Sequence, residues 1–521
     1  MRIKAEDILR NVEVKVEGQE LKLSGQLDLS VQLSGIGKNV PDELEVDVED
    51  AGQDLKRALY QALLVQADRE EVLRVREGKE GTGIQRIGHR CMSFQTRFGT
   101  VPVDRIRIMH RADGTTEVPS ARAWETPQHD YFTSGLRNAV CDELRDRTVR
   151  RTCKSLCIRA GQPDFVSDTT VLRILHEEGA RLIAAQRQRA EERLKDCPEA
   201  VSRLVPGKTA KRKKQAEVDM ELEELSEAGT SEALRIAVGF LDADSFEAQE
   251  ARNASVESSE ADDPRPPRVV DPKTVLTQLD EVKVKAQATW EGKEIWLYTG
   301  TVHVEKEAYY FVEATKEALF RQLAAVLSLL GVLDGSRQLL ALGDGALWIR
   351  NWFEFLRVPG KAMILCWYHL AQRCYQRLSA AGFEKARRQE LERELLNHLW
   401  TGDVAGALSV LRRVRGEARN GKWIDDMIGY LEKRRKYLPN YQARHKAGLW
   451  IASNRVEKWN DWSVSDRCKR RGMSWMVSGV HSLAAHEAAR RNGELAQWRA
   501  QGKLPPWPVV QSQPQPTELV A

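Results

Sequence analysis

What the sequence lacks narrows the reading first. No stretch approaches the ~18–20 uninterrupted apolar residues that a membrane-spanning helix needs. The longest apolar patch, residues 323–333, is too short and reads as a core helix. Residues 1–7 carry acids and no apolar run follows, so a secretory signal is not expected. Cysteine is scarce and scattered, eight in 521 residues, which argues against a disulfide framework. Internal repeats are absent as well. The expectation is a cytoplasmic protein with reduced thiols.

What is present is enough chain for three or four compact units. The sequence is 42% hydrophobic and 30% charged, so it can bury a substantial core and stay in solution. Lys plus Arg is 80 against 76 Asp plus Glu, a net charge of only +4. Charge is segregated, however. Residues 217–263 hold 15 acids and 2 bases, whereas residues 440–500 hold 11 bases and 5 acids. A basic segment offset by an acidic one elsewhere fits a polyanion partner better than the total suggests.

Along the chain the texture changes several times. Residues 1–90 are expected to be a mixed region, with a strand over 12–17 and a helix over 55–73. Residues 91–110 alternate between β-branched and charged side chains and break at Phe98 and Gly99, which predicts a hairpin whose outward Arg and His make one face basic. Residues 148–161 predict a short helix ending in glycine, and Ser167 or Asp168 caps a second over 169–178. Two such helices fit a helix-turn-helix, so 91–195 is assigned as a hairpin plus helical DNA-binding region; an ordinary helical hairpin is the alternative. Residues 196–270, with a basic run at 208–214 and the acidic stretch after it, read as a partly disordered linker. The rest is aromatic-rich, holding 13 of the 14 tryptophans. It is assigned as a catalytic domain over 271–500, with a helical insertion at about 353–445 and a disordered tail over 501–521.

The chemistry rests on the order of elements after 271. Strands are expected over 275–287, 295–304 and 309–314, a helix over 315–333, and a fourth strand over 337–344 followed by a new helix. That β-β-β-α-β order belongs to the α/β ribonuclease H-like fold, in which the first and fourth strands are neighbours. Asp280 on the first and Asp344 at the end of the fourth would then face each other. Converging carboxylates repel unless a cation lies between them, and their hard oxygens suit Mg²⁺ or Mn²⁺. A third acid on a late helix, Glu457, with Asp461 one turn on, would complete a two-metal site.

Gly-Asp-Gly-Ala-Leu-Trp over 343–348, Cys366-Trp367-Tyr368-His369, Val456-Glu457, and Arg-Gly-Met-Ser-Trp over 471–475 resemble bacterial insertion-sequence DDE transposases, most closely the Kra-type group related to Mutator-like elements. The resemblance spans about 85–495. It implies that Asp280, Asp344 and Glu457 are the catalytic, metal-holding acids, with two Mg²⁺ or Mn²⁺ ions as cofactor. It also implies that Cys366 and His369 form a motif near the active site or the DNA without zinc, within the insertion between the second and third acids. Glu281 stands where glycine is expected after the first acid, and Ala452-Ser453-Asn454 replaces a Gly-rich approach to the third.

Arg467, Lys469, Arg470 and Arg471 follow the third acid and are expected to hold the DNA backbone. Trp459, Trp462 and Trp475 either stack on unpaired bases or belong to the core. The expected activity is cleavage at element ends followed by attack of the 3′-hydroxyls on target DNA. The expected partners are DNA and further copies of the chain, at least a dimer, in the bacterial nucleoid. Two rivals remain: an inactive transposase-derived DNA-binding protein, and a structure-specific nuclease on the same sheet.

Overall fold

The computed structural model describes residues 12–17, 20–25, 40–77, 83–126, 131–207, 271–287, 293–469 and 473–507. The basic run at 208–214 and the acidic linker lie outside these. The chain is mixed α/β and divides into two compact units, Met1–Arg181 and Leu182–Ala521. Among the described residues no helix is long and apolar enough to cross a membrane. All eight cysteines are free thiols.

The first unit opens with a hairpin of β1 (Val12–Glu17) and β2 (Glu20–Gly25), then α1 (Val40–Glu77). Strands β3 (Ile84–Thr96) and β4 (Gly99–His110) form the expected antiparallel hairpin around a two-residue turn. Short β5 (Thr116–Glu117) and β6 (Tyr131–Phe132) flank it, giving the order β5-β4-β3-β6. Met92, Phe94, Val101 and Val103 point to one face, against Tyr60, Leu64 and Val65 of α1. Asp68 of α1 accepts the Ile106 amide at 2.8 Å. This helix-on-sheet packing corrects the expected boundary at 90, which falls inside β3.

The uniformly basic outward face also needs correction. Arg105 shares parity with Val101 and Val103 and is buried, donating to Ser120 at 2.8 Å. His110, of the opposite parity, is also buried, with Nε2 2.7 Å from Glu117 Oε1. After α2 (Pro119–Ala123) come α3 (Ser134–Asp146) and α4 (Val149–Ala160), the latter closed by Gly161 at φ 60°. The next helix, α5 (Asp168–Asp196), is 29 residues long, not the short second helix of the expected pair. Its straight-chain residues carry the helical pattern well past 178.

The second unit takes in the end of α5 and adds α6 (Pro198–Leu204), where a linker was expected; Ala200 and Leu204 belong to its core. Its sheet comprises β7 (Thr274–Lys285), β8 (Glu294–Val304), β9 (Glu307–Glu313), β10 (Gln338–Gly343) and β11 (Lys361–Leu365), in the order β11-β10-β7-β8-β9. β7, β8 and β9 pair antiparallel, while β7, β10 and β11 pair parallel. Thr315 caps α7 (Lys316–Leu327), whose Leu319, Leu323, Val326 and Leu327 are buried against the sheet. After β10 runs α8 (Leu347–Phe355). The helical insertion starts only after β11, a fifth strand the sequence reading overlooked. It comprises α9 (Trp367–Ala380), α10 (Lys385–Trp400), α11 (Val404–Val414), α12 (Lys422–Arg434) and α13 (Tyr441–Lys446). Trp367, Trp400 and Tyr441 meet with ring centroids 4.9–6.4 Å apart.

The chain returns to the sheet with α14 (Asn454–Asn460), a nine-residue π-helix at Asp461–Lys469, then α15 (Val477–Arg491) and α16 (Leu495–Gln501). The tail expected from 501 is held in its first residues. Trp507 is buried in the core under the Arg189 guanidinium, 4.1 Å from its ring centroid, and Arg189 also donates to the Pro505 carbonyl at 2.8 Å.

Candidate active site

The parallel pairing of β7 and β10 sets the geometry. Leu342 lies opposite Gln278, so two residues further on Asp344 emerges beside Asp280. The turn after Asp344 demands glycine. Gly345 has φ 81°, and a Cβ there would meet Leu365 Cδ1 at 2.6 Å. The Ala346 amide donates to Asp344 Oδ1 at 2.8 Å, which fixes the carboxylate and leaves Oδ2 to a ligand. Arg434 of α12 donates to the Gly345 carbonyl at 3.1 Å.

Asp280 is held through both oxygens. Oδ1 accepts the Glu281 amide at 2.8 Å, and Oδ2 accepts Asn460 Nδ2 at 2.7 Å. Asn460 is itself oriented by Thr299, whose hydroxyl donates to its Oδ1 at 2.6 Å. The sequence reading missed Asn460. It sits one residue before Asp461, the second choice for the third acid, and Asp461 is exposed.

Glu457 is brought in by Gln278, two residues before Asp280 on β7 and fully buried. Gln278 accepts the Val456 amide at 3.0 Å and donates to the Ala452 carbonyl at 3.3 Å, so both sides of the α14 start are tied to the strand. Ser453 Oγ donates to Glu457 Oε1 at 2.8 Å. Cys366 immediately precedes α9; its amide donates to the Gly343 carbonyl at 2.8 Å, and its sulfur accepts the Ser453 amide at 3.3 Å. His369 Nδ1 lies 3.6 Å from Glu457 Oε1 and 3.5 Å from Ser453 Oγ. The structure therefore brings Asp280, Asp344, Glu457, Cys366 and His369 to one end of the sheet.

Their charges sense one another. Burial, then the neighbouring Asp344, push the Asp280 carboxyl up to about 7; Glu457 adds to this, while His369 and the Glu281 amide oppose it. Burial works against the His369 charge, but Cys366, Asp344 and Glu457 outweigh it and hold the imidazole well above its ordinary range. Like charges gathered in this way favour a bound cation, and the oxygen donors of Asp280, Asp344 and Glu457 fit a hard divalent ion.

No protein-family model matches the sequence, and no curated protein matches it. The site's chemistry therefore rests on its geometry.

The basic segment is described only in part, since Arg470 and Arg471 lie outside the described residues. Lys469 is exposed. Arg467 lies 4.9 Å over the Trp475 ring centroid and donates to Met473 Sδ at 3.3 Å. Two of the three tryptophans are core and cannot stack on bases. Trp459 is fully buried and donates to the Phe311 carbonyl at 2.9 Å, while Trp475 is 7% exposed and donates to the Cys468 carbonyl at 3.1 Å. Trp462 is half-buried, with Arg491 3.4 Å from its ring centroid.

Proposed function

We propose that this chain is a DDE-type DNA transposase with a ribonuclease H-like catalytic domain. It cuts the ends of an insertion sequence and joins the freed 3′-hydroxyls to target DNA. The observation that carries the reading is the meeting of Asp280, midway along β7, and Asp344, just past the end of the adjacent parallel β10, with Glu457 drawn alongside by Gln278. The strand order β11-β10-β7-β8-β9 and the helical block between the second and third acids support it.

Asp280, Asp344 and Glu457 would hold two Mg²⁺ or Mn²⁺ ions, which supply Lewis-acid polarisation of a phosphodiester and a more acidic bound water. The protein's own groups do the positioning. Asn460 and the Glu281 amide fix Asp280, the Ala346 amide fixes Asp344, and Ser453 fixes Glu457. His369 keeps a positive charge next to the acids. Lys469 and the neighbouring Arg467, Arg470 and Arg471 bind the phosphate backbone, giving affinity without sequence choice. Two ends must be cut together, so at least a dimer assembles on DNA.

Asp344→Asn should abolish cleavage of DNA carrying the sequences that flank the gene, while binding to that DNA stays nearly intact. Full cleavage by this variant rejects the assignment. Cleavage by the unmodified chain without joining to target DNA would leave a structure-specific nuclease instead.

A further inference from the structure

We propose that Cys366, His369 and Glu457 form a binding site for a borderline-soft divalent ion, Zn²⁺ above all, separate in character from the all-oxygen Asp280–Asp344 pair. The ligand atoms of these three residues lie within 4.8 Å of one another, and no other His, Cys, Asp and Glu group among the described residues meets that condition. Around a tetrahedral ion with bonds of about 2.0–2.3 Å, ligand atoms sit roughly 3.3–3.8 Å apart. His369 Nδ1 and Glu457 Oε1, at 3.6 Å, already have that spacing.

Sequence spacing alone hides this site. Cys366 and His369 are one helical turn apart at the start of α9, half of a zinc set with no second pair nearby in sequence. The third ligand arrives from α14, after the whole helical insertion. The segment that delivers it is tied at three successive residues. Ile451 O accepts the Trp367 amide at 3.0 Å, Ala452 O accepts Gln278 Nε2 at 3.3 Å, and the Ser453 amide donates to Cys366 Sγ at 3.3 Å.

An amide aimed at the sulfur and a hydroxyl aimed at the Glu457 carboxylate are the kind of supporting contacts that orient metal ligands. Cys366 is fully buried, whereas the His369 and Glu457 side chains are 30% and 40% exposed, so an ion enters from their side. Sulfur and imidazole select against Mg²⁺ and for Zn²⁺. Three protein ligands leave a fourth position for water or a phosphate oxygen. Binding needs a Cys366 thiolate and a neutral His369 ring, so the protons these two groups carry pass to solvent. One consequence rests on the transposase reading: an ion seated here occupies Glu457 and withdraws it from Asp280 and Asp344, so Zn²⁺ opposes Mg²⁺-dependent cleavage.

The test is a Co²⁺ titration of the full chain after chelator treatment, followed by displacement with Zn²⁺. The expected result is one Co²⁺ per chain with a thiolate-to-cobalt charge-transfer band that Zn²⁺ bleaches. Cys366→Ser should remove the band, Cys91→Ser should leave it unchanged, and Ser453→Ala should weaken binding by roughly 10–100-fold. Absence of the band in the unmodified chain, or its persistence in Cys366→Ser, overturns the proposal. If Cys366→Ser fails to fold by circular dichroism, His369→Gln decides, and undiminished Co²⁺ affinity in that variant overturns it equally. A chain that shows the band but cleaves no DNA keeps this site and loses the transposase reading. Cleavage without the band does the reverse.

Discussion

Glu313 and Asp280 are carboxylates of the same five-stranded sheet with opposite surroundings. Glu313, at the end of β9, is fully buried and answered on every side. Arg187 donates to both of its oxygens at 3.1 and 2.6 Å, Gln322 donates at 2.6 Å, and His481 lies at 3.5 Å. Asp280, in the middle of β7, receives neutral donors and faces two further acids. The first arrangement is complete as folded and holds helix α5 to the sheet. The second sets three acids against the single His369 cation and is suited to receive further positive charge from a ligand. Burial of an acid thus says little about its role until the charges around it are counted.

The strongest way to break this comparison is Asp280→Asn. Strand cleavage should fall on the order of 10⁴-fold, the scale seen when a catalytic carboxylate is lost. Without divalent ions the same variant should be more stable at neutral pH, by on the order of 2 kcal/mol. The sign follows from a folded carboxyl raised to about 7, which costs stability as pH climbs from about 4 through 7. Glu313→Ala should do the opposite and lose about 1–3 kcal/mol by leaving the buried Gln322 amide without its acceptor, Arg187 being open to water. Thermal melts of both variants in chelator check this; shifts in the same direction would erase the contrast.

His303 sharpens the comparison from the basic side. Burial first, and then Arg455, push it down to about 3. Arg455 donates to its Nδ1 at 2.7 Å, which requires the neutral ring. The unfolded chain therefore takes up this proton first. Its contribution is intact above about pH 6.5 and is lost as pH falls toward 3, roughly 3–4 kcal/mol by about pH 3.5. Denaturant melts across that window should be steep in pH for the unmodified chain and flatter for His303→Gln. The smallest effect is expected of Asn460→Ala, about 1–3 kcal/mol of stability, from the Asp280 oxygen left without its side-chain donor. A matching loss of cleavage would mark Asn460 as a positioning residue.

Much of the second unit was legible in the sequence because its strands alternate and its helix caps are explicit. Thr315 before α7 and the Gly-Asp-Gly turn after β10 are local signals, and both lie where expected. Strand β11 was missed because five residues before a Cys-Trp-Tyr-His run give too short a pattern to set against helix. Asn460 and Gln278 carry no sequence signal, since amide side chains are common on helices and strands, and their roles arise only from long-range contact. The burial of Arg105 and His110 depends on Ser120 and Glu117, partners that arrive from later in the chain and leave no mark on the strand's own pattern. Trp459 and Trp475 were open to two readings because aromatic residues next to cations look alike whether they pack inward or await a base.

The nine-residue π-helix that follows Asn460 has a mechanical consequence. Its backbone bonds close over five residues instead of four, so the stretch carries more chain per turn than the α-helix before it. A one-residue deletion that kept this winding would rotate everything downstream by roughly a quarter turn about the helix axis. Asn460 would keep its grip on Asp280, while Arg467 would leave the Trp475 ring and Cys468 would lose the indole. The wide coil is a phase adjuster: it lets Asn460, just before it, reach the carboxylates while Cys468, near its end, receives the Trp475 indole.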